Sequence, residues 1–252
     1  MKADQLQARF RMFLGTIVLV WATLIIFPAI LMLQVLYPRN AGFHLSILWA
    51  RVVSWGFGVS FSLHGKEKIV PGVSYILVPN HGSIIDPLVL GPSLFEGSLY
   101  FRWVIKRELL QIPLFGWGLK ALGAVDLDRS KSNSGLTLLQ RARNRLKDGW
   151  SLVIFPEGTR TRDGELVPFK RGTFVLAIQT GTPILPVTTN GTFRILPRGT
   201  TLIRPGHVTV TVSNPILTSG LTRKDIPALM ERTHEAVHRH FDPTYDPFRI
   251  RK

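Results

Sequence analysis

From Met12 to Pro38 the chain runs for 27 residues without an acidic or basic side chain. As one helix at 1.5 Å per residue that run would reach about 40 Å, longer than the ~30 Å hydrocarbon core of a bilayer. It is too long for the apolar core of a signal peptide and ends without a small-x-small cleavage site, so it is expected to be retained. Pro28 stands in its middle and is expected to split it into two shorter apolar pieces. A second apolar stretch, Ala41 to Ser62, is interrupted only by His44 and Arg51. Two arrangements fit: one tilted span, or a shallow two-helix hairpin. The tryptophans, with arginines at both ends, suit an interface where aromatic rings and guanidinium groups face lipid headgroups. A buried core hairpin of a soluble protein is the plainer alternative, but a run beyond ~18 apolar residues favours a membrane. We therefore divide the chain into an anchoring segment, 1–62, and a folded domain, 63–252.

Charge narrows the partners. Thirty-one Lys and Arg stand against 16 Asp and Glu, a formal net charge of +15 over 252 residues. Such an excess points to an anionic partner: nucleic acid, an anionic bilayer, or a phosphorylated substrate. The basic residues are not interleaved with aromatics as a base-stacking platform would need, so nucleic acid is not expected. Cysteine is absent, which excludes a disulfide framework, a Cys nucleophile and thiolate metal sites.

After about residue 58 short strand and helix patterns alternate. Strands are expected at 73–78, 100–105, 124–128, 151–155, 183–188 and 208–212. Helices are expected at 87–95, 114–122, 132–148, 173–180 and 222–241. The alternation predicts an α/β domain with a mostly parallel or mixed sheet flanked by helices.

Several familiar catalytic patterns are missing: there is no Gly-x-Ser-x-Gly elbow, no Gly-x-x-x-x-Gly-Lys-Ser/Thr loop and no Gly-x-Gly-x-x-Gly fingerprint. His234-Glu235-x-x-His238 does match the zinc-protease pattern, on a predicted helix where i and i+4 share a face. A catalytic zinc needs a third protein ligand, only 14 residues follow His238, and the next is Arg239, a cation. A zinc protease therefore stays a distant alternative, and no metal is assigned.

Two constellations carry more. In Asn80-His81-Gly82-Ser83-Ile84-Ile85-Asp86-Pro87 a strand ends, a His follows in the loop, and Asp86 can cap the next helix with Pro87 at its first position. On a regular helix His81 and Asp86 would lie about 140° apart, so they can pair only if the chain near Gly82 is not helical. Paired, they supply an imidazole base and a carboxylate to hold its tautomer. Phe155-Pro156-Glu157-Gly158-Thr159-Arg160 follows the apolar strand at 151–154. Gly158 permits close approach, and Glu157 and Arg160 add an acceptor and a fork of donors at the carboxyl end of a strand.

Together these segments resemble the paired signatures of the glycerolipid acyltransferase family, nearest to the 1-acyl-sn-glycerol-3-phosphate acyltransferases. Between them, Val104 to Leu109, Ile112-Pro113-x-x-Gly116 and Gly123 to Arg129 resemble the family's middle block; Phe169 to Gly172 and Pro183 to Val187 resemble its downstream blocks. The likeness runs from about Ser74 to Thr189. Thr161 stands where Ser is common, and Val125-Asp126-Leu127 replaces a more usual Phe-Ile pattern. The resemblance implies transfer of a fatty acyl group from acyl-CoA or acyl-carrier protein to the sn-2 hydroxyl of lysophosphatidic acid, with no acyl-enzyme, metal or other cofactor. It implies that His81 is the base and Asp86 its orienter. Lys106 and Arg160, and less directly Arg129, would take the acceptor phosphate, while Glu157 and Gly158 would shape the glycerol pocket and Thr159 would be a further substrate-binding residue. It further implies a membrane-associated enzyme on anionic lipid, its catalytic domain on the cytoplasmic face. Another lysophospholipid or an aminolipid hydroxyl is the alternative acceptor.

Overall fold

The computed structural model describes residues 2–36, 41–127 and 134–249. Helix α1 (Lys2–Leu36) is 35 residues long, about 52 Å at 1.5 Å per residue. It packs antiparallel on α2 (Ala41–Phe57): Gly15 meets Phe57, Val18 meets Gly56, and the Trp49 indole donates to Thr23. The two helices form a hairpin, and α1 is long enough to span a bilayer as well. Small residues make it: Ala8, Gly15 and Ala22, spaced by seven, are all buried on the facing side, where the missing side chains let the backbones approach.

Pro28 does not divide α1, contrary to the expectation from sequence. A proline inside a helix loses one N–H donor and crowds the carbonyl four residues back. Here its ring lies on the exposed side, while Phe27 and Ile30 beside it are buried at 1% and 0% exposure. Phe27 packs edge-on to Trp49 at 5.5 Å and against Phe115 at 5.2 Å, and this packing holds the helix through the break. The opposite face of α1 is bare. Phe10, Phe13, Ile17, Trp21 and Ile25 are between 40% and 67% exposed, at the three- and four-residue spacing of one helix face. The stretch Leu6–Leu36 is long and apolar enough to cross a membrane, and little of it is buried in the protein, which suggests membrane association.

Among the described residues seven strands form one sheet: β1 (Val59–His64), β2 (Ile76–Pro79), β3 (Phe101–Lys106), β4 (Val125–Leu127), β5 (Ser151–Val153), β6 (Ile184–Asn190) and β7 (Gly206–Val212). Their order is β1-β7-β6-β2-β5-β3-β4. Every pairing is parallel except β6 with β7, so the sheet is mixed and mostly parallel. Strand β1 begins four residues before the expected domain boundary; its Ser60 and Ser62 hide the apolar run that marks the central strands. β2, β5 and β6 are buried throughout, as strands covered on both faces must be. Along β2, Ile76 and Val78 join one core and Leu77 the other, the period of two expected of a strand.

Helices α3 (Asp86–Glu96), α4 (Phe115–Ala121), α5 (Ser134–Lys147), α6 (Gly172–Thr180) and α8 (Ile226–His238), with the single turn α7 (Thr192–Ile195), surround the sheet. The hairpin docks α2 on α3 and α1 on α4. Gly118 of α4 touches the Phe27 ring so closely that a Cβ would sit 2.1 Å from it.

This packing predicts a contrast between two glycines. A Cβ at Gly15 would lie 2.2 Å from the buried Phe57 ring, whereas one at Gly172 meets nothing within 4 Å. Gly15→Ala should lower stability by about 1–3 kcal/mol through overpacking. Gly172→Ala, on α6, should raise it by roughly 0.5–1 kcal/mol. Chemical denaturation of both variants checks the pair.

Candidate active site

The parallel strands β2, β5 and β3 end at one edge of the sheet, and the loops leaving them carry the residues singled out above. The side-chain amide of Asn80 continues the strand pairing beyond Pro79. Its Nδ2 donates to the Thr189 carbonyl at 3.0 Å, and its Oδ1 accepts from the Thr189 N–H at 2.7 Å. This amide stands in for one more peptide of β2 and fixes where the loop leaves the sheet. Residues 80–83 are not helical, the condition set for His81 to reach Asp86. Gly82 is required for the path: a Cβ there would stand 2.8 Å from the Thr192 hydroxyl.

His81 Nδ1 and Asp86 Oδ2 are 2.7 Å apart. A carboxylate can only accept, so Nδ1 carries the proton and Nε2 keeps the lone pair. Asp86 is fully buried, while the His81 side chain is 20% exposed. The carboxylate is the held member of the pair and the imidazole the accessible one. Asp86 does not cap α3, as the sequence had led us to expect. It is the first residue of the helix, with Ile85 at the cap position and no side-chain cap bond. Its Oδ2 instead takes the Ser83 N–H at 3.0 Å together with His81. Pro87, lacking an N–H, removes one of the donors a cap would have served.

The second motif locks the same histidine from the other side. Glu157 Oε1 accepts the His81 N–H at 3.0 Å, and the Thr161 N–H donates to the His81 carbonyl at 3.0 Å. Phe155 stacks on the imidazole with centroids 4.0 Å apart and planes at 21°, and Trp103 stacks behind Phe155 at 6.3 Å. Gly158 turns the loop at φ +69°, in the left-handed region that favours glycine. Backbone, ring plane and tautomer of His81 are thus each fixed by a separate contact.

Glu157 is 1% exposed, and burial pushes its carboxyl up to about 8, against the pull of the His81 peptide N–H. Thr159 is exposed and Arg160 half-buried. Among the described residues the Arg160 guanidinium has no hydrogen bond or ion pair. Lys106 is exposed at the end of β3, one strand beyond β5 on the same edge. Arg129 lies outside the described residues. The His234 ring of α8 packs edge-on to Phe169 at 5.0 Å, and no cluster of three potential metal ligands occurs among the described residues. Sequence reasoning passed over Asn80, Phe155 and the backbone of Thr161 as working parts. It also missed the C-terminal segment, whose Phe241, Asp242 and Tyr245 help line a narrow cavity beside His81.

A family model described as Acyltransferase matches residues 60–190. This chain belongs to the acyltransferase family. The matched region contains every residue of the His81 and Glu157 loops. A chloroplast 1-acyl-sn-glycerol-3-phosphate acyltransferase of Brassica napus is 34% identical over 71% of this chain and 52% of its own. The beta form of that enzyme from Homo sapiens is 31% identical over 77% of this chain and 69% of its own. The chain thus spans about half the length of the chloroplast relative. The crystal structure of the 1-acyl-sn-glycerophosphate acyltransferase from Thermotoga maritima shares the fold of this acyltransferase, with a TM-score of 0.75 over 95% of this chain and 97% of that one, at 24% identity.

Removing the Asn80 amide would leave the N–H of Thr189, a residue 2% exposed, without a partner. Asn80→Ala should therefore cost about 1–3 kcal/mol of stability, read from the denaturation midpoint. The loss should exceed that of an Ala substitution at the exposed Thr159.

Proposed function

We propose that this acyltransferase moves a fatty acyl group from acyl-CoA or acyl-carrier protein to the sn-2 hydroxyl of 1-acyl-glycerol-3-phosphate, giving phosphatidic acid. The His81–Asp86 contact at 2.7 Å carries the reading, because it leaves Nε2 as a base at an open edge of the sheet. Nε2 takes the acceptor proton as the acceptor oxygen bonds to the thioester carbonyl carbon. The tetrahedral intermediate then expels the thiolate, which takes the proton back from the imidazolium. The buried Asp86 carboxylate stabilises that cation while it exists. Ser83, the hydroxyl within the motif, is not placed as a nucleophile: its Oγ donates to the Leu196 carbonyl at 2.7 Å and the residue is 1% exposed.

Arg160, and Lys106 on the neighbouring strand end, supply the cations for the acceptor phosphate, with Arg129 as a third. Gly158 and Thr159 form the turn that backs the glycerol, with Glu157 buried beneath it. The bare apolar face of α1 seats the protein on an anionic bilayer from the cytoplasmic side, where an amphiphilic acceptor can reach the site without leaving the lipid. Names of the relatives and the cationic edge support the lysophosphatidic acceptor over other lyso-lipids.

In an assay of the purified protein with acyl-CoA and lysophosphatidic acid in vesicles, His81→Ala should abolish turnover while the protein stays folded. Asp86→Asn should lower kcat by about 10²–10⁴-fold with little change in acceptor KM. Near wild-type turnover by folded His81→Ala would contradict the mechanism.

Arg160 is tested by preference rather than rate. Wild type should favour a phosphorylated acceptor over its matched phosphate-free analogue, and Arg160→Ala should narrow that ratio. Arg160→Lys should fall between, keeping the charge but losing the two-point fork. An unchanged ratio together with a lowered melting temperature would assign Arg160 to structure.

A further inference from the structure

Among the described residues Glu157 has no cation beside it; only the peptide N–H groups of His81 and Val167 favour its charge, and burial outweighs them. The residue is 1% exposed, and its Oε1 accepts the His81 N–H. Its Oε2 is buried with no donor in bonding geometry, and so is the hydroxyl of Thr189. Both residues line one narrow cavity of about 30 Å³, with Asn80 and His81 beside them. The ionisable groups around that cavity are His81, Glu165, Arg194, Asp242 and Tyr245, with Asp86 just behind His81. The one arginine is exposed, and its Nη2 reaches the Pro243 carbonyl at 3.4 Å. No cation pairs with Glu157 among the described residues, and Asp86 adds a like charge. An isolated buried carboxylate is costly, and holding its proton removes the cost.

We propose that Glu157 is a positioning residue that works as a neutral carboxylic acid. One oxygen holds the His81 peptide, and the hydroxyl supplies a donor to the cavity shared with Thr189. On this account Glu157 acts through His81 rather than as an anionic ligand of the acceptor. The kinetic part of this inference rests on His81 being the base; the protonation part does not.

Burial pushes the carboxyl up to about 8; the His81 N–H pulls down, the Asp86 charge pushes up, and the Val167 N–H pulls down. In the unfolded chain the same group titrates near its ordinary value of 4.5. Between those values the folded state binds the extra proton. The stabilising contribution is therefore complete below about 4.5 and lost as the pH rises through about 8.

The test uses the full chain, wild type against E157Q and E157A. Gln keeps the acceptor for the His81 N–H and a donor toward the cavity but cannot ionise. Melting temperatures from about pH 5 to pH 9 should fall in wild type relative to E157Q as the pH rises. With acyl-CoA and lysophosphatidic acid, the wild-type alkaline limb near pH 8 should move up by more than about one unit in E157Q. E157Q should lose less than about tenfold in kcat, and E157A, which leaves the His81 N–H unpaired, about a hundredfold. Acceptor KM should stay within about threefold in both. Melting curves that stay parallel across the range would overturn the neutral acid. An E157Q enzyme with an unmoved alkaline limb and a tenfold higher acceptor KM would make Glu157 an anionic acceptor ligand instead. If the melting curves diverge as stated but wild type acylates no lysophosphatidic acid, the protonation state is upheld and the acceptor reading fails.

Discussion

The backbone of His81 is gripped on both sides by a single loop, its N–H by Glu157 and its carbonyl by the Thr161 N–H, each at 3.0 Å. These two bonds join the loops after β2 and β5, which pair side by side in the sheet, and convert two strand ends into one rigid platform. Asp86 fixes the tautomer from the buried side and Phe155 fixes the ring plane. A general base works only if its lone pair is held within a few tenths of an ångström of the proton it takes. In the proposed mechanism the grip on the histidine backbone serves that demand, and the parallel strands bring these loops together.

The parallel order of β6, β2, β5 and β3 places successive loops on one edge of the sheet, the usual position for ligands in such folds. Burial of β2 and β6 on both faces leaves these strands no freedom to slip in register, because a slip of one residue would exchange the two cores. The α1–α2 hairpin covers α3 and α4 on one side and leaves an apolar face uncovered on the other. A helix with one face in protein contact and the other bare is suited to a boundary between protein and lipid. The same element thereby completes a core and leaves an apolar face bare.

Much of this was legible in the sequence, for identifiable reasons. The strands β2, β5 and β6 announce themselves as short apolar runs because both of their faces are buried. β1 does not, since its alternating serines give an edge strand no such signal. The fate of Pro28 was hidden because the contacts that hold α1 through it come from Trp49 and Phe115, 21 and 87 residues away in the chain. The His81–Asp86 pair was readable as chemistry, but its geometry depended on Gly82 and Thr192, which only the fold brings together. Glu157 shows the limit most clearly. A glutamate in a turn beside an arginine reads as a polar ligand, whereas the structure buries it under His81. The role of Thr161 rests on a backbone N–H, which leaves no mark in residue chemistry, and the side-chain amide of Asn80 meets the backbone of Thr189, 109 residues away in the chain.

The central claim is that His81 activates the acceptor hydroxyl for direct attack, so that the acyl group never resides on the protein. Intact-protein mass spectrometry, sampled on the turnover timescale with acyl-CoA alone and then with lysophosphatidic acid, measures this directly. The account predicts an unmodified protein mass throughout, with phosphatidic acid appearing only once the acceptor is present. A mass increase equal to one acyl chain, formed with donor alone and discharged by acceptor at the turnover rate, would contradict it.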